Sequence, residues 1–113
     1  MKQVFALSLA GAIPNSCGVY EIRTRCGRFK YIGSTKFLRD RYCHHLRDLV
    51  NGDHNNKSLQ AIFYQKNTVI FFKVLKRCQP HQLIRIEQNF LNKAILAKSV
   101  YCLNRKKKSG SGH

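Results

Sequence analysis

Two short β-type runs, each carrying a glycine and a tyrosine, constrain this chain more than any other feature in it. Gly18-Val19-Tyr20 opens one and Tyr31-Ile32-Gly33 closes the other, with the tyrosines eleven positions apart and Gly27 between them. Residues 18–25 hold Val19, Tyr20 and Ile22, types that suit a pleated, half-buried surface. Cys26-Gly27-Arg28 is short enough to turn the chain back, so residues 29–32 return as the second arm of an antiparallel hairpin. Gly33 then releases the chain into Ser34-Thr35, either of which can cap a helix that reaches about Val50 and stops at Gly52.

Along that helix Leu38, Tyr42, Leu46 and Leu49 form an apolar seam. Arg41 and His45, four apart, share one side and can point at one ligand. A second helix is expected over residues 57–65, a strand over 68–75, and a third helix from Pro80 to about Lys98 with Glu87 inside it. The apolar stretch 4–9, between Lys2 and Ala10-Gly11-Ala12, has some features of a signal peptide over residues 1–12. It is short for that role, and a first strand is the better reading. The order predicts an α/β domain of α+β type, a small, mostly antiparallel three-stranded sheet flanked by helices. One domain is expected over residues 1–104, with its motifs in 18–104. A basic patch and a flexible Ser-Gly tail then fill 105–113.

The charge narrows the partner. Twenty-one Lys and Arg against five Asp and Glu give +16, spread through the chain from Arg23 to Arg85 and so suited to a folded basic surface that attracts a polyanion. Lys36, Arg39, Arg105, Lys106 and Lys107 are the cations placed to meet DNA, while His54 either meets a phosphate or caps a loop. Five cysteines without a CxxC or regular spacing point to reduced thiols and an intracellular setting, a host cytoplasm if the chain is phage-encoded. A zinc site from Cys43, His44 and His45 is disfavoured because adjacent helical residues diverge. No run approaches the ~20 apolar residues of a membrane span.

Hydrolysing a phosphodiester takes a base for water, positive charge on the phosphorane and help for the leaving oxygen. The carboxylates Glu21, Asp40, Asp48, Asp53 and Glu87 form no DxD or ExK cluster, which disfavours a two-metal site. One hard cation held through Glu87 suits Mg²⁺, which commonly uses one or two carboxylates. Tyrosine is then the available base. Its ordinary pKa near ~10 requires cations close by, and Lys30, next to Tyr31 and across the hairpin from the Tyr20 strand, can supply part of that field. Arg41 offers a planar fork for a phosphate oxygen.

These motifs and spacings resemble the GIY-YIG nucleases. The resemblance implies a metal-dependent endonuclease acting on double-stranded DNA with Mg²⁺, for which Mn²⁺ substitutes. It implies that Tyr20 acts as the base or orients the attacking water, and that Tyr31 lines the same site. Arg41 and His45 would stabilise the transition state and bond the nucleophile or tyrosine, Glu87 would be the single metal ligand, and Asn104 would support the site. Gly52-Asp53-His54-Asn55 and Leu59-Gln60 are similar to the segment after the first helix in phage and intron-encoded homing members. Val19 in place of isoleucine, and Phe90 where Trp or Tyr is frequent, are mild departures. Homing members usually carry a further DNA-binding region, so an excised catalytic module or a compact stand-alone nuclease is expected, its oligomeric state, monomer or transient dimer, left open. Two other readings are weaker. A catalytically silent nucleic-acid-binding module leaves the polar set unexplained, and an HNH-like site at His44, His45 and Asn55 leaves out Tyr20, Tyr31 and Glu87.

Overall fold

The hairpin around Gly27 forms the centre of the sheet. In the computed structural model, which describes residues 7–9, 13–25, 27–65, 69–97 and 101–103, β2 (Gly18–Thr24) pairs antiparallel with β3 (Phe29–Thr35) and with β4 (Ile70–Arg77). This is the expected three-stranded antiparallel sheet. Two short strands extend it in parallel, β1 (Leu7–Leu9) beside β4 and β5 (Tyr101–Cys102) beside β3, for an order β1-β4-β2-β3-β5. Helices α1 (Leu38–Asn51), α2 (Lys57–Tyr64) and α3 (Leu83–Leu96) complete the domain, and Pro80 opens a 3-10 turn, Pro80–Gln82, that leads into α3. None of the helices among the described residues is long and apolar enough to cross a membrane. Asn104, Arg105, Lys106, Lys107 and the tail lie outside the described residues, as do residues 1–6 and 10–12 of the signal-like segment.

The first helix begins later than Ser34-Thr35 capping predicts. Strand β3 runs through both residues, because Ser34 pairs with Val19 and Thr35 with Gly18, and a ladder already in register outcompetes an early cap. Thr35 Oγ1 instead accepts the Phe37 N–H at 3.1 Å, and α1 starts at Leu38. It ends as expected at Gly52, in the left-handed conformation (φ 79°). Asn56 caps α2, its Oδ1 accepting the Leu59 N–H at 3.0 Å.

Alternation along the strands divides the packing between two faces. On one, Tyr20, Ile22, Ile70 and Phe72 meet Leu38 and Leu49 of α1 and Leu59, Ile62 and Phe63 of α2. On the other, Val19 and Ile32 meet Ala94 of α3, with Leu83, Ile86, Phe90 and Leu91 partly buried around them. A register shift between Val19 and Tyr20 makes Leu75 an extra residue in β4, so Val74 packs on the first face and Leu75 on the second. Strand β5 pairs only with Phe29 and Lys30, and among the described residues no strand covers the outer edge of β3 beyond them.

Candidate active site

Tyr20 is the most tightly constrained residue of the site. Its ring stacks on Phe72 (centroids 4.6 Å apart, planes within 17°) and only 2% of its surface is exposed. Gly33 is its cross-strand partner, and a Cβ at Gly33 would come within 2.6 Å of Tyr20 Cζ and closer still to the hydroxyl. At Gly18 a Cβ would lie 2.7 Å from the Lys76 carbonyl oxygen and 2.9 Å from Leu38 Cδ1. Both motif glycines therefore answer to close approach: Gly33 lets the Tyr20 ring cross β3, and Gly18 lets β2, β4 and α1 converge beneath it.

The Tyr20 hydroxyl ends 2.6 Å from His45 Nε2, the residue α1 presents to the sheet. His45 is buried, with Tyr20 and Tyr31 edge-on to its ring at centroid distances of 5.4 and 5.7 Å. Its other nitrogen, Nδ1, lies 2.7 Å from His54 Nε2. His54 was expected either at a DNA phosphate or as a loop cap. It is buried, and its Nδ1 accepts the backbone N–H of Asn56 at 3.0 Å, so it faces the interior and leaves no nitrogen for DNA.

Burial sets the protonation of this row. It pushes the Tyr20 hydroxyl well above the ordinary tyrosine range, Tyr31 adding to the effect, Arg41 opposing it and Glu87 adding to it again. Tyr31 is raised by burial and by Glu87, and lowered by Arg41. His45 is pushed down to about 3 by burial, with His54, Arg41 and His44 contributing, so it is neutral at any physiological pH. Arg41 is exposed on α1, yet its charge is felt by Tyr20, Tyr31 and His45 together. The structure brings Tyr20, Tyr31 and His45 into contact, and Arg41 acts on all three through its charge.

Glu87 approaches from α3, on the other face. Its Oε1 accepts the Ser34 hydroxyl at 2.5 Å, and its charge raises the pKa of both tyrosines. Ser34 was expected only as a helix cap; its position in the strand beside the edge makes it the hydroxyl neighbour of the acidic residue. Lys30 is not brought to the tyrosines. Adjacent strand residues project to opposite faces, and its ammonium lies 3.7 Å from Glu21 on the α3 side, where the buried Glu21 carboxylate also meets Arg23 at 4.0 Å. Lys36 and Arg39 are exposed where β3 passes into α1, and Arg39 Nε donates to the Ile13 carbonyl at 3.1 Å.

Among the described residues no three His, Cys, Asp or Glu side chains converge as a metal cage, so the Cys43, His44 and His45 grouping is not a closed site. Glu87 and Ser34 offer two hard oxygens side by side at an open edge, a donor set suited to a cation that keeps most of its own waters. Two residues beyond the expected set hold the row in place. Gln60 accepts from the His54 N–H at 3.0 Å and donates to the Leu49 carbonyl at 2.9 Å, while Asn56 Nδ2 donates to the Leu103 carbonyl at 2.8 Å. Asn56 left a signal as a cap residue ahead of the α2 pattern, and Gln60 only as part of the Leu59-Gln60 resemblance.

A hairpin in which one motif glycine seats the tyrosine and the other lets the strands and α1 close together, with a histidine on the tyrosine hydroxyl and a carboxylate of α3 bonded to the returning strand, is the arrangement of a GIY-YIG-type endonuclease. Residues 16–94 match the family model described as the GIY-YIG catalytic domain, and the chain belongs to that family. Among solved structures it is similar to the catalytic domain of homing endonuclease I-TevI, with a TM-score of 0.67 and 22% identity over 80% of this chain and 100% of that one. A second, an alanine mutant of the catalytic domain of intron endonuclease I-TevI, gives 0.65 and 21% over 82% and 98%. At these identities the likeness is one of fold. No curated protein matches the chain.

Proposed function

We propose that the chain hydrolyses phosphodiester bonds of double-stranded DNA, with Tyr20 as the base, Arg41 stabilising the phosphorane and Glu87 holding one divalent cation. The observation that carries this is the buried Tyr20–His45 hydrogen bond placed within the field of both Arg41 and Glu87. The likeness in fold to one homing endonuclease domain, seen in two structures, supports a DNA substrate, and so does the charge of +16. GIY-YIG nucleases generally use divalent metal ions.

Burial keeps Tyr20 a neutral phenol in the free protein, and three influences favour its conversion to a base. His45 lies in hydrogen-bonding contact with the phenol oxygen, Arg41 opposes the rise in its pKa, and neutralising Glu87 removes a charge that raises it. The Tyr20 phenol first releases its own proton to solvent; the phenolate oxygen then takes a proton from the attacking water as that water's oxygen bonds to phosphorus and the ester bond to the leaving oxygen breaks, the leaving oxygen taking a proton from solvent. Arg41 meets the charge that builds on the non-bridging oxygens, a role for which it is free because its guanidinium is exposed. Tyr31, half-buried and edge-on to His45, lines the same site. A divalent cation held by Glu87 and Ser34, Mg²⁺ or Mn²⁺ in its place, would supply the charge that polarises the water and offsets the phosphorane.

The test incubates supercoiled plasmid with wild type and Glu87→Ala, with Mg²⁺ or Mn²⁺ and with chelator. Metal-dependent nicking that is lost in the variant is the expected result. Wild-type nicking by Glu87→Ala would remove the metal assignment, and salt-sensitive binding without cutting by either protein would leave a silent binding module.

A further inference from the structure

The three-ring row from Tyr20 through His45 to His54 has a direction, and a backbone amide sets it. The Asn56 N–H can only donate, so the His54 Nδ1 that receives it at 3.0 Å carries no proton. Neutral His54 therefore holds its proton on Nε2, where it faces His45 Nδ1 at 2.7 Å. The two imidazole planes lie within 18° of each other and the ring centroids are 5.0 Å apart, the separation reached when the 2.7 Å N···N contact runs in line with both rings, so the N–H of one points at the lone pair of the other. His45 Nδ1 is then the acceptor, and the proton of neutral His45 is on Nε2, directed at the Tyr20 hydroxyl oxygen 2.6 Å away. The opposite polarity, with Tyr20 donating to His45, would place a proton on His54 Nδ1 against the Asn56 N–H.

Resting on the nuclease reading of this site, we propose that His54 is a positioning residue. It fixes His45 as the Nε2–H tautomer, so that His45 donates to the Tyr20 oxygen and leaves the tyrosine's own proton facing the open edge. A donor on the phenol oxygen stabilises the phenolate, and an acceptor there would favour the neutral form. His45 in this tautomer helps Tyr20 to act as a base without itself taking a proton. The geometry is locked from behind. Asn56 is held by Leu59 N–H on its Oδ1 and by the Leu103 carbonyl on its Nδ2, and the His54 N–H is held by buried Gln60.

The direct test is the tautomer of each ring, read from long-range proton–nitrogen correlations of the ¹⁵N-labelled full chain without DNA or metal. Both His45 and His54 are expected with an unprotonated Nδ1 and a protonated Nε2. A protonated Nδ1 on His45 would overturn the proposal, whether or not the chain cuts DNA. Failure of the wild type to cut under any divalent metal would fail the nuclease reading alone, since the tautomers are read without it. Two variants extend the test. His54→Leu cannot donate to His45 and is expected to lower kcat for plasmid nicking roughly 10- to 100-fold with KM within about twofold, a share of the effect typical of acid–base groups. His54→Gln can accept from Asn56 and donate to His45, and is expected to keep His45 in the Nε2–H form and restore most of the rate. Equal loss in both variants, with the His45 tautomer unchanged, would mean that His54 only fills space.

Discussion

The two faces of the sheet are built to different depths. On the α1 and α2 side, Tyr20, Ile22, Leu38, Leu49, Leu59 and Phe72 are at most 2% exposed, and the His45–His54 pair is enclosed among them. On the α3 side the fully buried set shrinks to Val19, Ile32 and Ala94, and α3 leaves Ile84 82% and Leu96 78% exposed. Tyr20 and His45, the residues proposed to handle the proton, therefore belong to the thick core and are set when the chain folds. Glu87, the proposed cation ligand, rides on a helix with fewer buried contacts and more freedom to adjust to a ligand.

Stability separates the faces most widely. Phe72→Ala removes the ring stacked on Tyr20 and is expected to cost about 3–5 kcal/mol, whereas Leu91→Ala on α3 should cost about 1–2 kcal/mol because that side chain is only partly buried. Equal losses in denaturant titrations would erase the distinction. Next is Arg41→Ala, expected to slow nicking roughly 10²- to 10³-fold, about 3–4 kcal/mol of barrier, with little change in the denaturation midpoint because the side chain is exposed.

Gly33→Ala tests whether Tyr20's seat is rigid. A new methyl must displace the phenol, so a loss of about 1–3 kcal/mol in stability and at least ~10-fold in rate is expected, and a neutral result would mean that the strand can move away. Acid titration should find the same face. His45 is near 6.5 when unfolded and about 3 when folded, so between those values the unfolded chain binds more protons. Its contribution is complete above about pH 6.5 and is lost as pH falls toward 3, by up to about 1.4 kcal/mol per pH unit. His45→Gln should flatten that limb of a thermal-melt pH series, leaving only the part due to His54, which burial also lowers. The smallest effect expected is for Lys30→Gln. Its ammonium serves Glu21 on the α3 side, so nicking should stay within about twofold and stability within about 1 kcal/mol.

The half of the site that obeys a local period was legible in the sequence. Tyr20 and Tyr31 flank a short turn, and Arg41 and His45 share one helical side, so hairpin, helix and their convergence could be derived before any coordinates. The same period, applied one residue further, separates Lys30 from Tyr31, yet sequence adjacency had suggested a shared field. Ser34 and Thr35 read as caps because the signal for a cap is local. The pairing that keeps them in the strand comes from Gly18 and Val19, across the hairpin. His54 was the least legible, since its loop could equally well have faced solvent. Its inward position depends on Gln60 and Asn56 closing over it, contacts that only the folded chain defines.

Leu103 ties the last described segment to the first hairpin. Its N–H donates to the Lys30 carbonyl at 2.6 Å, and its own carbonyl receives the side chain of Asn56, whose backbone amide orients His54. On a growing chain, the Tyr20 hairpin and α1 emerge well before residue 103, so the protein can have most of its secondary structure while this brace is still missing. The braced form of the site consequently waits on residue 103, after the hairpin and α1 have already been made.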